Sequence, residues 1–159
     1  MTKSAFQTLM VAISLFVGSA YGADTTPSAM PARQVDPAMD RYQAAAGSQD
    51  WKAAAAAMRE GLSREPGNAD FNNLYAYALR KGGNPNMDLV FKHYNEALRI
   101  DAKHRGAHEY IGEAYLMLGN LAKAKEHLGV LDKLCFFGCE EYSDLKKAIA
   151  AHEAKVVKQ

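Results

Sequence analysis

The chain is poor in the residues and motifs that define many functional classes. Its 159 residues include two cysteines, five prolines and one tryptophan, and the formal net charge is +1. Two cysteines exclude a disulfide-rich scaffold. The composition, 48% hydrophobic and 23% charged, is that of one soluble domain that is large enough to bury a core without metals or many disulfides.

Motifs that carry enzyme chemistry are also missing from the sequence. No glycine-rich phosphate loop, His-Glu-x-x-His pattern or Ser, His and Asp arrangement is present. The Cys-x-x-Cys motif of thiol oxidoreductases and the Cys-x-x-Cys-His motif of covalent haem are absent too. We therefore expect no catalytic residue, no cofactor and no enzyme activity.

No apolar run is long enough to span a membrane, but a shorter one lies near the start. Residues 5–17 are mostly apolar and follow Lys3, whereas a spanning helix needs about 20 such residues. Small residues follow, with cleavage expected between Gly22 and Ala23. This pattern predicts a signal peptide over residues 1–22 and a periplasmic or secreted mature protein, which would touch the membrane only before cleavage.

Cleavage would remove one cation and no anion, and it would leave a neutral chain. A neutral protein has little long-range attraction to nucleic acid, so we expect no nucleic-acid partner. Residues 23–37 contain three prolines and no apolar periodicity. We interpret this segment as a flexible tether.

Beyond the tether, apolar residues recur at helical spacing and no run shows the alternation of a strand. The fold class predicted is all-α. The clearest stretch is 107–131, AHEYIGEAYLMLGNLAKAKEHLGVL, with one helix predicted over 105–118 and another over 121–134. Gly119 suits the left-handed turn between them, and Gly112 is expected to let the paired helix approach closely.

This stretch resembles a tetratricopeptide repeat in its pattern of small and aromatic residues, which are Gly112, Tyr115, Ala124, Leu128 and Leu131. The resemblance implies an α-α superhelix of antiparallel hairpins. We expect three units, at about residues 38–66, 69–102 and 105–134, and a Cys-x-x-x-Cys segment with a capping helix over residues 135–159. The first unit is partial, since its first helix must fit between Pro37 and Gly47, and self-association through this hairpin is one hypothesis.

Two cysteines, Cys135 and Cys139, separate the last unit from the cap. In an exported chain they are most simply a disulfide that ties the cap to the repeats. As thiolates the same pair can instead hold Cu(I), with three histidines nearby in sequence, His104, His108 and His127. The alternative hypothesis is therefore a copper-binding or thiol-active envelope accessory protein.

Tetratricopeptide repeats hold partner proteins, so the resemblance implies a non-catalytic periplasmic adaptor that binds a protein or peptide. In that family the first helix of each unit lines a concave groove. The residues expected on the groove side are Asn72, Ala76, Leu79, Arg80, Glu109, Glu113, Leu116 and Met117. Two of them, Glu109 and Glu113, lie one turn apart and can meet a basic segment. The groove lacks a cluster of Lys or Arg like the carboxylate clamp of chaperone-binding relatives, which disfavours an acidic C-terminal peptide.

Overall fold

The structure is a computed structural model that describes residues 36–156, and this range folds into helices without a strand. The helices are α1 (Pro37–Gly47), α2 (Trp51–Arg64), α3 (Ala69–Lys81), α4 (Met87–Ile100), α5 (Arg105–Met117), α6 (Leu121–Leu134) and α7 (Glu140–Val156). The all-α prediction is confirmed. The predicted signal peptide and nearly all of the predicted tether lie outside the described residues. None of the described helices has the length and apolar character that a membrane span requires.

Local sequence determines where these helices begin. A side chain accepts a hydrogen bond from a backbone N–H of the first turn in α1 to α6, and the capping residues are Asp36, Asp50, Asn68, Asn86, His104 and Asn120. Such caps satisfy amides that have no partner within the helix. The α5–α6 turn has Gly119 at φ +71°, as expected, and α6 has the predicted bounds.

Successive helices pair as three antiparallel hairpins, α1 with α2, α3 with α4 and α5 with α6. Three apolar cores lie along the chain, and each joins one hairpin to the first helix of the next unit. The third core contains Leu116 and Leu131 of the last hairpin with Leu145 and Ile149 of α7. Helix α7 therefore occupies the place of the first helix in a fourth unit and caps the series.

Side-chain contacts repeat between the second and third hairpins. The Asn72 amide donates to the Pro66 carbonyl, and His108 Nε2 donates to the equivalent carbonyl of Ala102, each at 3.1 Å. A histidine of the following helix completes each contact, His93 in α4 and His127 in α6. These equivalent contacts place Asn72 and His108 at the same position of the repeat.

Helix α7 packs against α5 and α6, and Gly112 of α5 allows this close approach. A Cβ atom at Gly112 would lie only 2.7 Å from Cδ2 of Leu145, whose side chain is fully buried. The helix that approaches Gly112 is thus α7. The expectation that the paired helix α6 does so was wrong, because the missing Cβ faces the cap.

The disulfide between Cys135 and Cys139 joins the end of α6 to the start of α7. Sγ of Cys139 also accepts a hydrogen bond from the Tyr142 amide at 3.4 Å, in the first turn of α7. Two side chains in the loop, Phe136 and Phe137, are exposed. A covalent loop this short contributes about 2 kcal/mol in the chain-entropy model, and it fixes the chain where the cap begins.

Two glycines of the last hairpin provide a test of the cap contact. In Gly112→Ala the new methyl group clashes with Leu145, which outweighs the better helix propensity of alanine. We expect the free energy of unfolding to fall by about 1 kcal/mol. The control is Gly129→Ala in α6, where a Cβ would meet nothing within 4 Å. This change should stabilise by up to about 1 kcal/mol. Urea unfolding measures both, and equal effects of the two changes would contradict the packing described.

Candidate functional site

Three aromatic rings follow one another across one surface of the helices. The ring centroids of Trp51 and Tyr77 are 5.6 Å apart, and those of Tyr77 and Tyr110 are 4.4 Å apart. Nζ of Lys81 lies 5.5 Å from the Trp51 ring. These residues of α2, α3 and α5 form a continuous row, here called the aromatic row, whose Tyr77 and Tyr110 remain partly exposed.

Arg80 is fixed beside the aromatic row by several partners. Its guanidinium donates to Glu113 Oε2 at 2.5 Å and to the Tyr94 hydroxyl at 3.2 Å, and Cζ lies 5.3 Å from the centroid of the Tyr77 ring. Met117 Sδ lies 4.0 Å from Nη1. Because its charge is already paired and its side chain is buried, Arg80 orders this surface and is not a free cation for an acidic ligand.

Next to the aromatic row lies a recess of about 260 Å³ between α3, α5 and α7, here called the acidic recess. Its lining residues are Asn73, Leu74, Gly106, Glu109, Tyr110, Glu140, Glu141 and Asp144. Four of these eight residues are carboxylates and none is a cation. Helix α7 supplies three of the four carboxylates, so the recess depends on where the cap packs.

Glu109 is the most deeply placed of these carboxylates, and only 8% of its surface is exposed. Burial raises its pKa to about 8, and the nearby carboxylates of Glu113, Asp144 and Glu141 raise the pKa in the same direction. Arg80 opposes this shift. Burial among other carboxylates therefore favours the protonated form of the Glu109 carboxyl at neutral pH.

The structure brings together four of the groove residues expected from sequence, which are Arg80, Glu109, Glu113 and Met117. It does not bring the others to this surface. Asn72 is buried against α4, Ala76 lies in the second core, and Leu79 lines a depression beside the α3–α4 loop. Leu116 is buried beneath the cap.

A shift of one residue in α3 explains why Asn72 and Ala76 were misplaced. Because Asn72 is equivalent to His108, Asn73 is the residue that corresponds to Glu109. By the same register Tyr77 corresponds to Glu113. Arg80 is equivalent to the buried Leu116, and it reaches the site because its long side chain extends to Glu113.

Sequence reasoning missed several residues of this site, namely Asn73, Tyr77, Tyr110, Glu141 and Asp144. The capping residues, Asn68 for α3 and His104 for α5, mark equivalent points of the two helices. Counting from these residues would have aligned Asn73 with Glu109 and Tyr77 with Glu113.

The copper hypothesis has less support in the structure. Both sulfurs are joined in the disulfide, so neither is free as a thiolate ligand. Among the described residues, the acidic or histidine side chain grouped with the two sulfurs is Glu141. His108 and His127 instead form a hydrogen bond between their Nδ1 atoms, which are 2.9 Å apart. Burial lowers the pKa of both imidazoles.

No protein-family model matches the chain, and no curated protein sequence matches it significantly. Several solved structures are similar to it. The TPR2B domain of yeast Sti1, in its complex with pHsp70, has a TM-score of 0.66 and 18% identity over 74% of this chain and 94% of that chain. The type III secretion translocator chaperone SycD of Yersinia enterocolitica has a TM-score of 0.60 and 20% identity, over 74% and 79% of the two chains.

A third similar structure is PcrH in complex with the chaperone binding region of PopD. Its TM-score is 0.59 at 14% identity, over 81% of this chain and 98% of that chain. At such low identity these likenesses establish the fold alone. The chain has the tetratricopeptide-repeat fold, as the sequence resemblance predicted.

The raised pKa of Glu109 predicts how stability depends on pH. Between the ordinary carboxyl value of 4.5 and about 8 the unfolded chain releases a proton that the folded chain keeps, so this group lowers stability as pH rises through that window. Glu109→Gln removes the effect. We expect the variant to exceed the parent in urea midpoint at pH 8 and to match it at pH 4.5.

The exposed Glu126 of α6 provides the matched control for this measurement. Glu126→Gln makes the same change of charge away from the recess, and its midpoint difference should not grow with pH in this way. A Glu109→Gln advantage that is the same at both pH values would show that the carboxyl is not held protonated.

Proposed function

We propose that this chain is an exported, non-catalytic scaffold that binds a segment of a partner protein along the surface formed by α3, α5 and α7 together with Trp51 of α2. One observation carries the proposal: the aromatic row stands next to an arginine that is already held in place by Glu113 and Tyr94. Aromatic and arginine side chains dominate the energetics of protein interfaces. No comparable organisation of reactive groups for catalysis is found among the described residues.

Order within this surface favours binding without a large entropic cost. Tyr77 packs against Trp51, Tyr110 and Arg80, so its ring is already restrained before any partner arrives. Binding to restrained side chains loses less conformational freedom than binding to mobile ones. The surface spans three first helices of the repeat, which suits a peptide or a single helix more than a large flat interface.

The similar structures support this proposal as analogies. SycD is a translocator chaperone, and PcrH was solved with the chaperone binding region of PopD. Those properties belong to those proteins. They make protein binding a reasonable use of the same fold, and the residues of the aromatic row give this chain its own chemistry for it.

Export to the periplasm is part of the proposal and rests on two observations. Residues 1–22 have the pattern of a signal peptide. The disulfide between Cys135 and Cys139 is of a kind that persists in oxidising compartments and is rare in the cytosol.

Site-specific photo-crosslinking tests the proposed binding surface. A benzophenone amino acid is placed at Met117, which is exposed beside Arg80, or at Asn95, which is exposed on α4. We expect a discrete adduct with one protein from position 117 and none from position 95. Tyr77→Ser in the Met117 background should reduce the adduct about tenfold, the equivalent of about 1.4 kcal/mol. Adducts from both positions would reject this surface, and so would an adduct yield that Tyr77→Ser does not change.

Intact mass spectrometry of the protein from a periplasmic extract tests the compartment. The expected species begins at Ala23 and is two hydrogens lighter than the reduced chain, because the two cysteines form a disulfide. Reduction and alkylation should then add two alkyl groups. A full-length chain confined to the cytosol, or two free thiols in the extract, would overturn the proposed export or the proposed role of the disulfide.

A further inference from the structure

We propose that the disulfide loop of one copy of this chain docks into an apolar depression on a second copy. The loop, Cys135–Cys139, is here called the aromatic loop, and the depression lies between α2, α3 and the segment that follows α3. The depression shares Trp51 with the aromatic row, but Tyr77 and Tyr110 do not line it. The inference therefore stands apart from the proposed partner surface and gives self-association a defined interface.

The aromatic loop presents two phenyl rings to solvent. Phe136 is 87% exposed and Phe137 is 97% exposed, the highest values among the large hydrophobic side chains of residues 36–156. Neither ring belongs to any of the three apolar cores. Turns favour Gly, Pro, Asn, Asp and Ser, and neither a turn nor a disulfide requires aromatic residues between its ends. The fold of the described residues therefore does not account for the two rings.

The two rings are held in place before any contact with another molecule. The Gly138 amide donates to the Cys135 carbonyl at 2.8 Å, which closes a turn that has Phe136 and Phe137 at its central positions. The disulfide joins the ends of the same loop. The rings also meet edge to face, with centroids 5.1 Å apart. Restrained aromatic side chains lose little conformational freedom on binding, which is typical of residues that anchor an interface.

The depression on α2 and α3 offers a complementary surface of about 520 Å³. Its apolar lining includes Trp51, Ala55, Tyr75, Ala78, Leu79 and Pro85. This volume lies within the range of pockets that hold drug-sized molecules, about 300–1,000 Å³, so there is room for two phenyl rings. The charged residues of the lining are Lys52 and Arg59, and no carboxylate lines it. Both cations are exposed, and neither forms an ion pair among the described residues.

The charges beside the aromatic loop are opposite in sign to those of the depression. Asp132 precedes the loop and Glu140 follows it, and both are exposed and without an ion pair within residues 36–156. Lys133 is the one cation between residues 132 and 141. This acidic flank is attracted to Lys52 and Arg59, whereas an anionic lipid surface would repel it. Charge therefore favours a second copy of the chain over a membrane.

The geometry of this contact determines how the association grows. The loop and the depression are different surfaces, so the contact is heterologous, and each pair of copies keeps one free loop and one free depression. Two phenyl rings bury about 300–500 Å², which is less than the roughly 800 Å² per partner of a stable interface. We expect weak, reversible association that continues beyond the dimer, with a Kd on the order of 100 µM.

Analytical ultracentrifugation of the disulfide-bonded protein, at concentrations that span this Kd, tests the contact. Phe136→Ser with Phe137→Ser removes the rings, and Lys52→Glu with Arg59→Glu reverses the charge of the depression. Because all four side chains are exposed, both variants should keep the circular dichroism spectrum and urea midpoint of the parent. We expect the weight-average mass of the parent to rise with concentration, and that of each variant to remain at the monomer value.

Matched controls make the same kinds of change elsewhere on the surface. Leu118→Ser with Val156→Ser removes two other exposed apolar side chains. Lys92→Glu with Lys103→Glu reverses two exposed cations that do not line the depression. Both controls should associate as the parent does.

A mixture of the two variants identifies the two sides of the contact. The variant without rings keeps its depression and the charge-reversed variant keeps its loop, so together they should form a 1:1 heterodimer and nothing larger. Trp51 is the one tryptophan of the chain and lines the depression. Its indole N–H signal in the 15N-labelled variant without rings should shift when the unlabelled charge-reversed variant is added.

A parent that stays monomeric at every concentration would overturn the inference. So would a variant without Phe136 and Phe137 that still associates, or a mixture of the two variants that stays monomeric. Vesicles of phosphatidylethanolamine and phosphatidylglycerol provide the comparison with lipid. A monomeric parent that binds these vesicles through the two rings would assign the loop to a membrane surface and reject the contact between copies.

Discussion

The contact between Gly112 and Leu145 is the constraint on which the rest of the structure depends. A glycine at this point of α5 lets the cap approach until Leu145 and Ile149 complete the third apolar core. The same approach brings three carboxylates of α7 to one side of α5. One packing requirement therefore determines both the end of the hydrophobic core and the charge of the neighbouring recess.

Burial by the cap gives Glu109 its unusual chemistry. A carboxyl that is exposed on an uncapped α5 would keep an ordinary pKa, because solvent would favour its charged form. Beneath α7 the group is buried and faces other carboxylates, so its pKa is raised. The disulfide at the start of α7 ties the cap to α6, which links the covalent structure at Cys135 and Cys139 to the electrostatics of the recess.

Much of the fold was predictable from local signals in the sequence. The turn at Gly119 and the apolar spacing were sufficient for the bounds of α6 and for the all-α class. The site was less predictable. Glu109, Glu113 and Arg80 were expected there, but a shift of one residue in α3 moved the prediction from Asn73 to Asn72. The partner of Gly112 was misassigned because periodicity does not reveal which neighbouring helix meets a glycine.

The most direct test is the titration of the Glu109 side-chain carboxyl carbon by 13C NMR. We predict a pKa of about 8 for Glu109, because burial disfavours the charged carboxylate. A pKa near the ordinary 4.5 would contradict the burial of Glu109 beneath the cap.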